Sequence, residues 1–202
     1  MTAIIDYGVG NLFSLKSSFA AVGAEAVVTN DRKTIENADR ILLPGVGAFA
    51  DAAEKLFSSG MADVVKEQAA EGKPLLGICL GMQLLFDKSF EYGEHDGLGL
   101  IRGNVRPISD VIPADYKIPQ IGWNALIFKK ECPLFRYIND GDHVYFVHSY
   151  YAADCDEAVA AVSEYGAPLT AAVSDKNVFG CQFHPEKSGK TGLAILRAFA
   201  GM

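Results

Sequence analysis

The residue with the clearest chemical capacity stands at the end of one apolar run. Cys79 follows Pro-Leu-Leu-Gly-Ile and has a glycine two residues away on each side, Gly77 and Gly81. This spacing is typical of a nucleophile elbow, a tight turn from strand to helix in which larger flanking side chains would collide with the reversed chain. N–H groups at the start of the helix can stabilise a thiolate and bind a developing oxyanion. We therefore interpret residues 74–87 as a buried strand, an exposed thiol and a helix.

A thiol nucleophile needs a base, and histidine suits this role because it titrates near neutrality. Of the four histidines, His95 and His143 lie in polar stretches that predict exposure, and His148 lies in an apolar run as a core or site-lining residue. His184 ends another apolar run and precedes proline, which favours an extended conformation. Glu186, two residues on, is then predicted to face the same way and to orient the imidazole.

The elements that must position these residues follow a regular alternation. Strands are predicted at 3–5, 24–29, 40–43 and 74–78, and helices at 12–22, 31–38, 49–57 and 61–71. This order predicts an α/β fold with a doubly wound, flavodoxin-like parallel sheet, whose sites lie at the carboxyl ends of the strands. Asp6, Cys79 and the loop Pro44–Gly47 all occupy such ends. The loop's glycines leave N–H groups uncovered, so we expect it to form an oxyanion hole together with the N–H of Leu80.

The second half of the chain has a different pattern, with many predicted strands and few predicted helices. Runs typical of strands lie at 104–108, 125–128, 144–151, 158–162, 170–174 and 178–183, and one helix closes the chain. They predict antiparallel, β-rich additions to the parallel centre. No linker or repeat interrupts residues 1–202, which we interpret as a single domain.

Composition excludes several classes of protein. Half of the 202 residues are apolar, and no apolar run is long enough to span a membrane. The formal net charge of −7 argues against binding to nucleic acid, which needs a basic face. The four cysteines form no Cys-x-x-Cys pair, so neither a zinc site nor a disulfide framework is predicted. With no secretion signal at the start, these features predict a cytoplasmic protein with reduced thiols.

Two short motifs resemble cofactor sites but are incomplete. Gly189, Lys190 and Thr191 end like a phosphate-binding loop, yet its first glycine would have to be residue 184, which is a histidine. Gly8 and Gly10 likewise lack the third glycine of a dinucleotide fingerprint. We therefore predict no cofactor and no metal.

The combined motifs are specific enough to suggest a family. Gly-Ile-Cys-Leu-Gly-Met-Gln at 77–83 and His-Pro-Glu at 184–186 resemble the class I, or triad, glutamine amidotransferases. Asp-Tyr-Gly-Val-Gly-Asn at 6–11, Pro-Gly-Val-Gly at 44–47, Gly-Trp-Asn at 122–124, Val-Tyr-Phe-Val-His-Ser-Tyr at 144–150 and Lys-Ser at 187–188 narrow the resemblance to the glutaminase subunits of imidazole glycerol phosphate synthases. The similarity spans almost the whole chain.

The resemblance implies that L-glutamine is hydrolysed and that the ammonia passes to a (β/α)8-barrel cyclase subunit in a heterodimer. It implies a catalytic triad of Cys79, His184 and Glu186, with oxyanion donors at Gly47 and Leu80. The family positions around the bound glutamine correspond to Gln83, Glu91, Ser149 and Tyr150, and those at the partner interface correspond to Asn11, Trp123, Tyr145 and Lys187. The need for a partner also follows from chemistry, because ammonia released into water is protonated and lost as a nucleophile.

Three readings of the sequence remain open at this level. The first is the glutaminase of histidine biosynthesis described above. The second is a glutaminase subunit of another synthase, of the pyridoxal phosphate or anthranilate type. The third is a cysteine hydrolase with another substrate or a non-enzymatic regulatory domain.

Overall fold

The chain alternates short strands and helices through its first 83 residues. The computed structural model describes residues 1–202. Its first part comprises β1 (Thr2–Ile5), α1 (Leu12–Ala21), β2 (Ala26–Thr29), α2 (Arg32–Asn37), β3 (Arg40–Leu43), α3 (Phe49–Ser58), α4 (Met61–Ala70), β4 (Leu75–Ile78) and α5 (Leu80–Gln83). The predicted alternation is confirmed, but the helix after Cys79 has a single turn and does not continue to Asp87.

The remainder is mostly β-structure. It comprises β5 (Lys88–Ser89), β6 (His95–Asp96), β7 (Asn104–Pro107), β8 (Gln120–Ala125), β9 (Ile127–Phe128), β10 (His143–His148), β11 (Tyr150–Ala153), β12 (Val159–Glu164), β13 (Pro168–Asp175), β14 (Val178–Cys181) and α6 (Gly189–Ala200), with short 3-10 turns between them. Two predictions were wrong in detail. The run 144–151 divides into two strands at Ser149, and β8 begins five residues before the predicted 125.

One eight-stranded sheet forms the centre of the fold, in the order β2-β1-β3-β4-β14-β13-β12-β9. The strands from β2 to β14 pair in parallel, whereas β13, β12 and β9 are antiparallel. In β1, β3 and β4 alternate residues face two separate apolar clusters. Ile5, Leu43 and Leu75 pack on the side of α3 and α4, and Ile4, Leu42 and Leu76 on the side of α1 and α6. Burial on both faces explains why these strands are continuous apolar runs.

Two smaller sheets flank the carboxyl ends of the parallel strands. One has the order β11-β7-β5-β6. The other is an antiparallel ribbon of β8 and β10, in which Tyr145 lies opposite Trp123 and His148 opposite Gln120. The inner face of this β8–β10 ribbon is largely buried, whereas Ile121 and Trp123 on its outer face are exposed. None of the helices combines the length and apolar character needed to cross a membrane.

Candidate active site

Cys79 occupies a strained turn between β4 and α5. Its φ of 54° and ψ of −113° lie in a region that side chains other than glycine rarely adopt. The glycines on either side permit this turn. A Cβ on Gly81 would lie 2.0 Å from the Leu43 carbonyl oxygen, and one on Gly77 would lie 2.6 Å from the Gly81 carbonyl oxygen. The Cys79 N–H donates to the Cys181 carbonyl at 2.7 Å, which ties the turn to β14. The predicted elbow geometry is thus present, but Cys79 is only 8% exposed, which corrects the prediction of an exposed thiol.

His184 and Glu186 form a buried ion pair beside this turn. The Nδ1 atom of His184 lies 2.9 Å from Glu186 Oε1, and both side chains are almost fully buried. The local conformation differs from the extended segment predicted, because Pro185–Lys187 forms a 3-10 turn. Proline favours the first position of such a turn, since its missing N–H has no partner there. Glu186 therefore reaches the imidazole by chain reversal.

The environment of His184 favours its protonated form. Burial by itself lowers the pKa of the imidazole, but the hydrogen bonds and charges of Cys79 and Glu186 outweigh burial and raise the pKa to about 9. At neutral pH the ring therefore holds a proton beside the sulfur atom of Cys79. A protonated histidine is suited to stabilise a thiolate and to give its proton to a leaving group.

Gln182 is a site residue that the sequence reasoning missed. It is fully buried, its Nε2 atom donates to Cys79 Sγ at 3.8 Å, and its Oε1 accepts from Gln83 Nε2 at 3.0 Å. Gln83 also donates to the Tyr150 carbonyl at 3.1 Å, so its amide nitrogen is committed to protein acceptors. A signal was present in the sequence: Gln182 is a polar residue within the apolar run 178–183, two residues before His184.

The loop Pro44–Gly47 lies opposite the elbow and is anchored near both ends. The buried Tyr7 hydroxyl, another residue that the sequence reasoning missed, donates to the Pro44 carbonyl at 2.7 Å. Beyond the loop, Glu91 Oε2 accepts from the Phe49 N–H at 2.6 Å. Burial raises the pKa of Glu91, although the Phe49 N–H opposes this. Between these anchors Gly47 is exposed, with a φ of +91° that favours glycine.

These elements enclose one cleft with a volume of about 360 Å³. Nine of the residues predicted for the site line it: Gly47, Cys79, Leu80, Gln83, Glu91, Ser149, Tyr150, His184 and Lys187. Sequence reasoning did not assign Val46, Tyr92, Pro119 and Val147, and it left His148 undecided, yet all five also line the cleft. Glu186 stands behind His184, and Asn11, Trp123 and Tyr145 lie outside the cleft.

The other histidines and cysteines have different surroundings. His143 is exposed as predicted, but His95 is half-buried against the ring of Phe49, which corrects the predicted exposure. All four cysteines are free. Burial raises the pKa of the thiols of Cys132 and Cys155, the latter to about 11, and holds that of Cys181 well above its ordinary value. No group of three or more metal-ligating side chains is arranged to hold an ion.

Comparisons with known proteins identify the family of this chain. Residues 3–201 match the family described as glutamine amidotransferase class-I. A solved glutamine amidotransferase structure superposes with a TM-score of 0.76 over 99% of each chain, and at 20% identity it supports the fold alone. The chain therefore belongs to the class I glutamine amidotransferases, and the predicted fold class is confirmed.

Closer relatives define the subfamily. Imidazole glycerol phosphate synthase subunit HisH from Caldanaerobacter subterraneus subsp. tengcongensis is 51% identical over 203 residues, covering 100% of this chain and 98% of that protein. The Bacillus cereus subunit of the same name is 50% identical over 202 residues, covering 100% and 95% respectively. Within its class, the chain belongs to the HisH family of glutamine amidotransferase subunits.

Proposed function

We propose that this chain hydrolyses L-glutamine to glutamate and ammonia and supplies the ammonia to a cyclase subunit. The cyclase makes imidazole glycerol phosphate and aminoimidazole carboxamide ribotide in histidine biosynthesis. One observation carries the proposal: a strained cysteine elbow and a buried His184–Glu186 pair meet in the same cleft. Identity of about 50% to HisH subunits over the full length supports the choice of synthase.

In the first half of the reaction Cys79 is the nucleophile. Its sulfur attacks the side-chain amide carbon of glutamine, and the carbonyl oxygen gains negative charge. When the tetrahedral intermediate collapses, the C–N bond breaks and His184 gives its proton to the departing nitrogen, which leaves as ammonia. The pKa of about 9 at His184 supports this role as an acid, and a thioester remains on Cys79.

In the second half His184 acts as the base. The neutral imidazole removes a proton from water while the water oxygen attacks the thioester carbon. The C–S bond then breaks, glutamate leaves, and the thiolate and the protonated imidazole are restored. Glu186 keeps the ring in one orientation and stabilises its positive charge through the bond to Nδ1.

The N–H groups of Gly47 and Leu80 are the proposed oxyanion donors. Leu80 begins α5, where N–H groups have no partner within the helix, and Gly47 faces it across the cleft. Gly47 is exposed at positive φ, so its peptide can change orientation at little cost. We propose that the loop adopts its productive state when the partner docks and that the isolated chain turns over glutamine slowly.

The remaining lining residues are proposed to hold the substrate. Gln83, Ser149 and Tyr150 lie beside the nucleophile, and Glu91 supplies a carboxylate for the substrate's ammonium group. A carboxylate and an ammonium attract strongly in a half-buried site.

The proposed partner is a (β/α)8-barrel cyclase subunit in a cytoplasmic heterodimer that uses no cofactor or metal and binds neither nucleic acid nor membrane. We treat residues 1–202 as its single glutaminase domain. Asn11, Trp123, Tyr145 and Lys187 are the proposed contacts. Trp123 is 53% exposed and meets the ring of Tyr145 edge-on at 6.0 Å between centroids. Large exposed aromatic side chains are typical anchors of protein interfaces.

The decisive experiment substitutes the nucleophile. Cys79→Ala is expected to abolish glutamate formation from glutamine, because no thioester can form. The complex with the cyclase subunit should still make product from added ammonium salt. Cys132→Ala is the matched control, since Cys132 is a buried thiol outside the cleft, and it should retain glutamine-dependent turnover. Loss of both the glutamine- and ammonium-dependent reactions in Cys79→Ala would argue against the proposal.

A further inference from the structure

Two residues that lie opposite one another on the inner face of the β8–β10 ribbon each have a buried acceptor atom. Gln120 is fully buried and His148 is 7% exposed. Gln120 Oε1 and His148 Nε2 are both buried and have no hydrogen-bond partner. The two residues are directly opposite in the antiparallel register, so their side chains share a face with Cβ atoms about 5 Å apart. An unpartnered buried polar atom is costly, and two together need an explanation.

A chain of hydrogen bonds fixes which end of the Gln120 amide is free. The Glu164 carbonyl can only accept, so the Asn124 amide turns its nitrogen toward it, at 3.2 Å. Asn124 Oδ1 is then the acceptor for Gln120 Nε2, at 3.1 Å. Gln120 is therefore held with its nitrogen committed and its carbonyl oxygen free.

A similar argument fixes the tautomer of His148. Its Nδ1 lies 2.8 Å from the Tyr150 carbonyl oxygen, which can only accept, so Nδ1 carries the proton. The pKa of His148 is lowered to about 4, mainly by burial. The hydrogen bond to the Tyr150 carbonyl acts in the opposite direction, and the charge of nearby His184 lowers the pKa further. Nε2 is therefore an unprotonated acceptor on a neutral ring. His148 lines the catalytic cleft, as does Pro119, the neighbour of Gln120.

Two neutral acceptors select for a particular kind of ligand. The substrate's carboxylate is excluded, because it has no hydrogen to donate. Its ammonium group has a better partner in the carboxylate of Glu91 in the same cleft. A small neutral molecule with two or more N–H or O–H groups satisfies both atoms, and the cleft is where an amide nitrogen is released.

We propose that Gln120 Oε1 and His148 Nε2 bind the ammonia released in the cleft. This inference rests on the proposed glutaminase function and adds a holding site for its product. Neither acceptor can protonate ammonia, so it remains a nucleophile. The ribbon also carries exposed Ile121 and Trp123 on its other face, so the site lies on the element that forms the proposed partner surface.

The test measures how much ammonia reaches the partner. Gln120→Met keeps the length of the side chain and removes the acceptor. In the complex with the cyclase subunit, the ratio of product formed to glutamate formed should fall about threefold, as expected for the loss of one neutral hydrogen bond. The matched control is Gln68→Met, because Gln68 is 4% exposed with an unpartnered Oε1 but lies on α4 outside the cleft, and its ratio should equal that of the wild type.

A binding measurement supplies a second readout. Ammonium chloride is titrated into the ¹⁵N-histidine-labelled full chain at a pH where part of it is ammonia, and the Nε2 resonance of His148 is followed. The wild-type resonance should shift to a plateau, and the shift should weaken in Gln120→Met. If Gln120→Met does not fold, Gln120→Asn is used for both measurements. This substitution keeps the amide but withdraws the acceptor oxygen by one methylene. Both the product-to-glutamate ratio and the shift of the His148 resonance should fall, as in Gln120→Met.

Three results would overturn the inference. An unchanged product-to-glutamate ratio means that the pair holds only a structural water. A raised KM for glutamine with an unchanged ratio means that the pair binds substrate. If the wild-type complex forms no glutamate from glutamine, the proposed function fails and this inference fails with it. If only this inference fails, the wild-type complex still forms glutamate, so the two failures can be distinguished.

Discussion

The two sides of the catalytic cleft differ in how firmly they are built. On the nucleophile side, backbone packs against backbone so closely that Gly77 and Gly81 admit no Cβ. On the opposite side, Pro44 and Gly45 are buried, and a Cβ on Gly45 would lie 2.5 Å from the Gly81 nitrogen, but Val46 and Gly47 are exposed and a Cβ on Gly47 would meet no heavy atom within 4 Å. The thiol side is therefore preformed, whereas the oxyanion side has room to change state. Control by a partner is most easily exerted at the exposed half of the loop, Val46 and Gly47.

The largest effect on stability should come from Gly81→Ala on the nucleophile side. Its Cβ would stand 2.0 Å from the Leu43 carbonyl oxygen, so β3 or the elbow must move. We expect the free energy of unfolding to fall by about 3 kcal/mol, the upper end for forcing a methyl group into a packed site. Chemical denaturation measures this change.

Gly47→Ala is the matched substitution on the loop side. Here only the positive φ opposes the new Cβ, and we expect a loss of about 1 kcal/mol. Equal losses in the two variants would remove the contrast between the two sides.

Glu186→Gln tests the fixed ion pair. The carboxylate stabilises the imidazolium, so its loss should lower the pKa of His184 and reduce kcat by about 10²- to 10⁴-fold. Because the folded pKa of about 9 exceeds the ordinary 6.5, the wild type gains stability from this group below pH 6.5 and loses it as the pH rises to 9. The loss of stability between pH 6.5 and pH 9 should be smaller in Glu186→Gln than in the wild type. Chemical denaturation across that pH range measures the difference. An identical decline in both proteins would contradict the assignment.

An effect on stability as small as that of Gly47→Ala is expected at the loop anchor. Tyr7→Phe removes the bond to the buried Pro44 carbonyl and should cost about 1 kcal/mol of stability. The more informative readout is glutaminase activity with and without the cyclase subunit. A freed loop should reach its productive state more often, so the ratio of the two rates should fall in the variant. A ratio equal to that of the wild type would mean that this anchor does not restrain the loop.

Local sequence patterns were sufficient to predict much of the fold and part of the candidate site. Apolar strands buried on both faces predicted the parallel centre, and the elbow and His-Pro-Glu identified the candidate triad, because each is a short segment with its own geometry. Features that depend on contacts between distant parts of the chain were harder to predict from the sequence. The ribbon strand Gln120–Ala125 contains glycine, asparagine and an exposed tryptophan, so it lacks the apolar alternation that marks a strand.

By itself, the sequence determined that a cysteine would lie in a tight turn at a strand end and that a carboxylate would lie close to a histidine in the chain. Those results depend on residues at most four positions apart. Only the tertiary structure decided that Gln182 contacts the thiol, that Tyr7 holds the opposite loop and that Gln120 faces His148. Each of these contacts joins residues from different elements, and their pairing is set by sheet order and register, which no local pattern encodes.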